Sequence, residues 1–325
     1  MRYLMFILCV LCVSAVSADS KPIALDQSKS PIGLDDMYFS ARLNKVLVPA
    51  GRTGKVLMID PATQAMDAIE GFGKQVSGGR GVGPTSVDEA SSMLLVTDRT
   101  THQVSVVDPE TKKIVQSTAL ASGPDYVRYV KSTNEIWVTE PPDESIEIFS
   151  YAQSGAKPVH TGQIEIEDGP EALVIDNARG LAYTNIDGGK TLVIDLKTHK
   201  TLHEFENSCD DAEGLVLSDG GQYLFVACRE GKVVSMDPAS GKVVSSASSG
   251  EGIDIIAYNA KLKHIYAPGS ESATVSILAV SDKGELSVVK TFPTVERAHC
   301  VVADNSGNFY VCDPANAGLL MFKDE

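Results

Sequence analysis

What most constrains this chain is that it repeats itself with a period of about 42 residues, a spacing at which sequences fold as propellers or solenoids. The clearest copy begins at Gly83 and reads GPTSVDEASSMLLVTDRTTHQVSVVDPETKKIVQSTAL. It holds a strand, a turn, the strand MLLVTD, a polar loop, the strand QVSVVDP, the turn PETKK and the strand KIVQSTAL. The same punctuation recurs in DMYFSARLNKVLVPAG, GPDYVRYVKSTNEIWVTE, GPEALVIDNARGLAYTN, EGLVLSDGGQYLFVAC, GIDIIAYNAKLKHIYAP and AHCVVADNSGNFYVCDP, which makes seven copies. Apolar and polar residues alternate at period two between breaks of Gly, Asp, Asn, Pro and Ser, as four-stranded antiparallel blades require. The pairs Asp60-Pro61, Asp108-Pro109 and Asp237-Pro238 fall where a third strand turns, because proline cannot continue a ladder. Seven matched copies argue against an irregular sandwich and for an all-β, seven-bladed β-propeller.

The last copy has only three strands before Glu325. Its outer strand is expected from Pro22-Ile23-Ala24-Leu25-Asp26, with Gln27 to Ser30 as connector, since closing the ring in this way removes exposed sheet edges. Residues 19–325 thus read as a single domain. Ahead of them, MRYLMFILCVLCVSAVSADS places one arginine before an apolar run that ends in small residues, the pattern of an export signal cleaved between Ala18 and Asp19. A membrane anchor is the competing reading, but the run is near the lower limit of about 17 residues and lacks a basic stop. The mature protein is therefore expected to be periplasmic or secreted, free of the membrane and monomeric.

The chain carries 28 basic and 43 acidic side chains, a formal net charge of −15 that loss of Arg2 makes one unit more negative. Such a surface repels phosphate backbones, so nucleic acid is not an expected partner, whereas cations and basic groups are. Four cysteines follow the signal: Cys209, Cys228, Cys300 and Cys312. Each consecutive pair brackets the turn of one inner hairpin, at Asp219-Gly220-Gly221 and at Ser306-Gly307-Asn308, which predicts the disulfides Cys209–Cys228 and Cys300–Cys312.

The phrases LLVTDRTTHQVSVVDPETKKIV and LAYTNIDGGKTLVIDLKTHKTL resemble the YVTN-repeat propellers, the YncE-like family of exported bacterial proteins. The resemblance runs over the mature chain and implies the propeller fold. The Trp-Asp pair of WD-repeat propellers is absent, and Trp137 is the one tryptophan.

In a propeller the inner strands start on the face that also carries the loops between second and third strands. Aligning the seven copies puts Asp36, Thr85, Asp125, Glu171, Glu213, Asp254 and His299 at equivalent inner-strand starts. Five are carboxylic acids, and carboxylates brought together raise one another's proton affinity unless a cation neutralises them. Glu171, Glu213, Asp254 and His299, with Asp36 and Asp125 across the channel, are candidate ligands for a divalent cation, Ca²⁺ or Mg²⁺ by their oxygens, Zn²⁺ with the histidine. The competing reading is structural: the acids accept hydrogen bonds from neighbouring blades and from Arg52, Arg99, Arg128 or Arg229. GPEALVIDNARG and AHCVVADNSGNFYVCDP also resemble, more distantly, the senescence-marker and gluconolactonase propellers, which hold a divalent metal with Glu, Asn and Asp at inner-strand starts. That resemblance implies a metal-dependent lactone hydrolase, although no asparagine occupies an inner-strand start here.

No Gly-x-Ser-x-Gly elbow, Cys-x-x-Cys-His haem attachment, phosphate-cradling Gly-x-x-x-x-Gly-Lys or His-Glu-x-x-His helix is present, so neither haem nor nucleotide is expected. Ser77 to Gly83 reads as an interblade loop, since no helix follows it. His102, His160, His199, His203 and His264 lack ligand spacing, with His102 held in reserve beside Arg99. Tyr126, Tyr129, Tyr183 and Tyr310 are expected to pack between blades. The leading expectation is a non-enzymatic propeller that presents its channel face to a small ligand, a metal or a protein partner, with lactone hydrolysis as the alternative.

Overall fold

The computed structural model describes residues 20–28, 31–75 and 82–324. The export signal, its cleavage point and most of the Ser77 to Gly83 loop lie outside the described residues. Within them the chain forms seven four-stranded antiparallel sheets arranged as a β-propeller. Blade two shows the common pattern, with strands Pro84–Ala90, Met93–Asp98, Gln103–Asp108 and Lys113–Ala119 running from the channel outward.

Burial explains how each strand reads in sequence. The second strands are sandwiched between blades on both faces, so Met93–Asp98 and Glu135–Glu140 are buried almost throughout and carry continuous apolar runs. Outer strands such as Thr201–Glu206 are mostly exposed and polar. Trp137, Tyr183, Tyr266, Phe309 and Tyr310 are fully buried and fill the wedges between blades, as expected for Tyr183 and Tyr310. The turns between third and fourth strands share one device. The side chains of Asp60, Asp108, Asp195 and Asp237 accept hydrogen bonds from backbone N–H groups two residues on, at 2.9–3.0 Å.

Ring closure follows the expected route. Lys21–Ala24 pairs with Gly318–Lys323 as the outer strand of blade seven, Ile23 opposite Leu319 and Ala24 opposite Gly318. Ile23 is buried in the main core. The strand begins at Lys21, one residue earlier than the sequence suggests, and stops at Ala24, although Leu25 still donates its N–H to Ala317 O at 2.8 Å.

Both cysteine pairs form disulfides as predicted, with Cα atoms 5.2 Å apart for Cys209–Cys228 and 5.4 Å for Cys300–Cys312. Cys312 also donates its N–H to Cys300 O at 2.9 Å, so this pair sits directly across its hairpin. In blade five Cys228 lies opposite Ala212, and Cys209 reaches it from the segment before the inner strand. No helix among the described residues is long and apolar enough to cross a membrane.

Candidate ligand face at the channel mouth

The inner strands are stitched to one another where they start. Asp36 donates its N–H to Thr85 O at 3.1 Å, Gly214 to Asp254 O at 2.8 Å and Ile255 to His299 O at 3.1 Å. These carbonyls belong to positions that the repeat alignment placed in register. Gly214 has to be glycine, because a Cβ there would run into the Asp254 carbonyl.

On one side of the mouth the acids are already spent on arginines. Arg99, from the end of the second strand of blade two, pairs with Asp35 at 2.9 Å and with Asp125, and its Nε donates to Pro124 O at 2.9 Å. Thr85 Oγ1 donates to the same Asp35 carboxylate at 3.3 Å. Deeper in the channel, Arg128 of blade three crosses to Asp36 of blade one and donates its Nε to Leu173 O of blade four at 3.1 Å. Its guanidinium also lies 5.0 Å from the centre of the Tyr126 ring. Arg52 serves elsewhere, holding the N-terminal segment through Asp26 and Pro31 O, both at 2.7 Å.

On the other side the acids are less well matched. Glu213 pairs with Arg229 at 2.8 Å, and that guanidinium also lies 3.9 Å from both Asp211 and Glu271. Asn185 positions this edge by donating to Glu213 O at 2.6 Å. The Glu171 carboxyl has no hydrogen-bond or ion-pair partner among the described residues, while its peptide carbonyl faces the Thr184 hydroxyl at 3.3 Å. Burial, then the negative fields of Asp125, Glu213 and Asp254, push the Glu171 carboxyl up to about 8. Burial and Asp254 push Glu213 up to about 7, the nearby Arg229 notwithstanding. Asp125 also rises to about 7, because burial outweighs the attraction of Arg99.

Asp125, Glu213 and Asp254 thus all act on the Glu171 carboxyl. In the structure no three ligand atoms of the ring come within 4.8 Å of one another; the described trios that do are His299–Cys300–Cys312 and Cys209–Cys228–Glu230. Their sulfurs are tied up in the disulfides. His299 faces a neighbouring cavity of about 240 Å³, lined also by Arg229, Arg297 and Ser270. Its Nδ1 is hydrogen-bonded to Arg297 O at 2.8 Å, and its buried Nε2 has no partner among the described residues. The other histidines take packing or pairing roles: His160 lies 3.4 Å from Glu147, His199 3.1 Å from Glu135 and His264 2.7 Å from Asp324, while His203 stacks on Phe205. His102 is exposed in its loop.

Sequence reasoning passed over Asp35, whose signal was its place next to Asp36. Two successive acids at an inner-strand entry can meet two different arginines, and here they do.

No protein-family model matches the chain, and no curated protein matches it. Solved structures do. The chain is similar to the RRP9 WD40 repeats, at 11% identity over 95% of this chain and 98% of that one, with a TM-score of 0.77. It is similar to the Cps50 (Swd1) β-propeller domain of Myceliophteria thermophila, at 11% identity over 94% and 100% of the two chains, TM-score 0.73. Hydrazine synthase of Kuenenia stuttgartiensis gives 15% identity over 91% and 96%, TM-score 0.70. At such identities the likeness establishes the propeller fold and nothing finer.

Proposed function

We propose that this chain is an exported binding propeller of the YncE-like kind that takes up a cation at its channel mouth, with Glu171, Glu213 and Asp254 as the principal ligands. The observation that carries this reading is the Glu171 carboxyl, partly buried in the field of three other acids and without a partner of its own among the described residues. A divalent cation would discharge that cluster, and carboxylates supply the hard oxygens that Ca²⁺ or Mg²⁺ prefers. Asp36 and Asp125 contribute through the field they share, because Arg128 and Arg99 already hold them. His299 lines the neighbouring cavity, so the carboxylates carry the site. Export is supported by the leader-like start and by the two disulfides, which persist in oxidising compartments.

Calorimetric titration of the mature protein with Ca²⁺, Mg²⁺ and Zn²⁺ tests the reading. One of the three is expected to bind, and Glu171→Gln to weaken it at least tenfold with the melting temperature unchanged or raised. Absence of binding by all three, or equal binding by the variant, rejects it. Metal-dependent lactone hydrolysis is the second reading, favoured by the high proton affinity of Glu171, which suits a proton carrier beside a metal. Chelator-sensitive turnover of a lactone panel would establish it, and metal binding without turnover leaves the binding protein.

A further inference from the structure

The channel has a second end. It holds a cavity of about 480 Å³ to which all seven blades contribute, Arg128 and Asp36 among its lining. Its walls are the later residues of the inner strands, including Val174, Val216 and Val301, and Glu171, Glu213 and Asp254 take no part in it. The volume falls within the range of small-molecule sites, roughly 300–1,000 Å³.

We propose that this cavity binds a small organic cation, an ammonium on an apolar or aromatic body. The charges around it decide the sign. Asp36, Asp88 and Arg128 line the cavity. Arg128 is committed to Asp36 through two hydrogen bonds, at 2.6 and 3.1 Å. That leaves Asp88, which accepts the Tyr129 N–H at 2.7 Å and has no cationic side chain in ion-pair contact among the described residues. By formal count the cavity wall holds two carboxylates and one guanidinium. Asp88 is the acid left without an ion pair, burial raising its proton affinity against the field of Arg128, and a ligand cation would supply that pair.

The walls fit the same ligand. Tyr38, Phe39, Tyr126, Tyr129 and Tyr258 all line the cavity, and aromatic faces attract ammonium groups within about 6 Å. Tyr126 is only 6% exposed, yet its hydroxyl has no hydrogen-bond partner among the described residues. A hydroxyl on the cavity wall can accept from an ammonium N–H. An anion would meet Asp88 with no free guanidinium to receive it. This site is separate from the acids at the other mouth, and its occupant answers to shape as well as to charge.

Three probes that share a phenol ring and differ in charge test the proposal: tyramine, p-cresol and 4-hydroxyphenylacetate, titrated into the mature protein by calorimetry. Tyramine is expected to bind at least tenfold more tightly than p-cresol, with no binding of 4-hydroxyphenylacetate. Asp88→Asn should bring tyramine down to the p-cresol level, and Tyr126→Phe should weaken it about threefold. Glu171→Gln should leave it unchanged, which separates this site from the channel mouth. Equal affinity for the three probes, binding by none, or an Asp88→Asn variant that holds tyramine as wild type does would each overturn the proposal.

Discussion

Arg128 and Asp36 join blades one and three across the channel through two parallel hydrogen bonds, Nη1 to Oδ2 at 2.6 Å and Nη2 to Oδ1 at 3.1 Å. Their side chains are 21% and 9% exposed, so the pair is largely shielded from water. Both residues also line the cavity of about 480 Å³. Planar two-point pairing of this kind needs arginine, because the point charge of lysine would not match both oxygens.

Breaking that pair on one side should cost more than removing it altogether. Arg128→Met leaves a buried carboxylate without its cation, with an expected loss of about 3 kcal/mol in urea unfolding. Adding Asp36→Asn should recover at least half of the loss. A single variant as stable as wild type would mean that the pair is already solvated.

The Cys300–Cys312 bond closes a loop with a sequence separation of 12. Chain entropy alone gives about 3 kcal/mol of stabilisation. Cys300→Ser with Cys312→Ser should lower the unfolding free energy by roughly that amount, and the melting temperature with it. Non-reducing peptide mapping of the wild type should recover both pairs, and four free thiols would refute them.

Ile23 is 6% exposed, and its strand supplies the outer edge of the last blade. Ile23→Asp buries an unpaired charge and is expected to cost at least about 3 kcal/mol. Deletion of the residues before Pro31 would bare the edge of Gly318–Lys323, and the expected readout is concentration-dependent association in sedimentation. A deletion variant that stays monomeric with an unchanged melting temperature would show that the ring does not need this strand.

Stability should decline as pH rises through neutrality. Burial and the neighbouring Glu147 push Glu140 up to about 8 from its ordinary 4.5, and Glu171 rises to the same level. An acid whose folded-state pKa lies above its unfolded value favours folding fully where both states are protonated, below the unfolded value. The advantage is lost as pH climbs toward 8 and levels off beyond it. The melting temperature is therefore expected to fall by several degrees between about pH 5 and about pH 8.5, each kcal/mol being worth about 2–4 °C at this size. Glu140→Gln should flatten the profile, and a wild-type melting temperature that rises over this interval would contradict the assignment.

The sequence by itself determined the architecture. Seven copies of one turn pattern, a three-stranded final copy and a spare apolar strand at Ile23 admit one closed ring, and cysteines on either side of a single hairpin turn admit one pairing. These are local or periodic relationships, settled by strand alternation and turn chemistry over a few tens of residues. The same periodicity put Glu171, Glu213, Asp254 and Asp125 at one mouth. Which acids would be paired and which left over was decided only by the closed structure. Arg128 meets Asp36 at a sequence separation of 92 and Arg99 meets Asp35 at 64. Neither distance is a property of the repeat; each follows from how far a long side chain reaches once the ring brings neighbouring blades, for Arg99, and non-adjacent blades, for Arg128, to the same axis. The Asp88 cavity was illegible for the same reason, since it is built from one to four residues of every blade and exists only once the ring is closed.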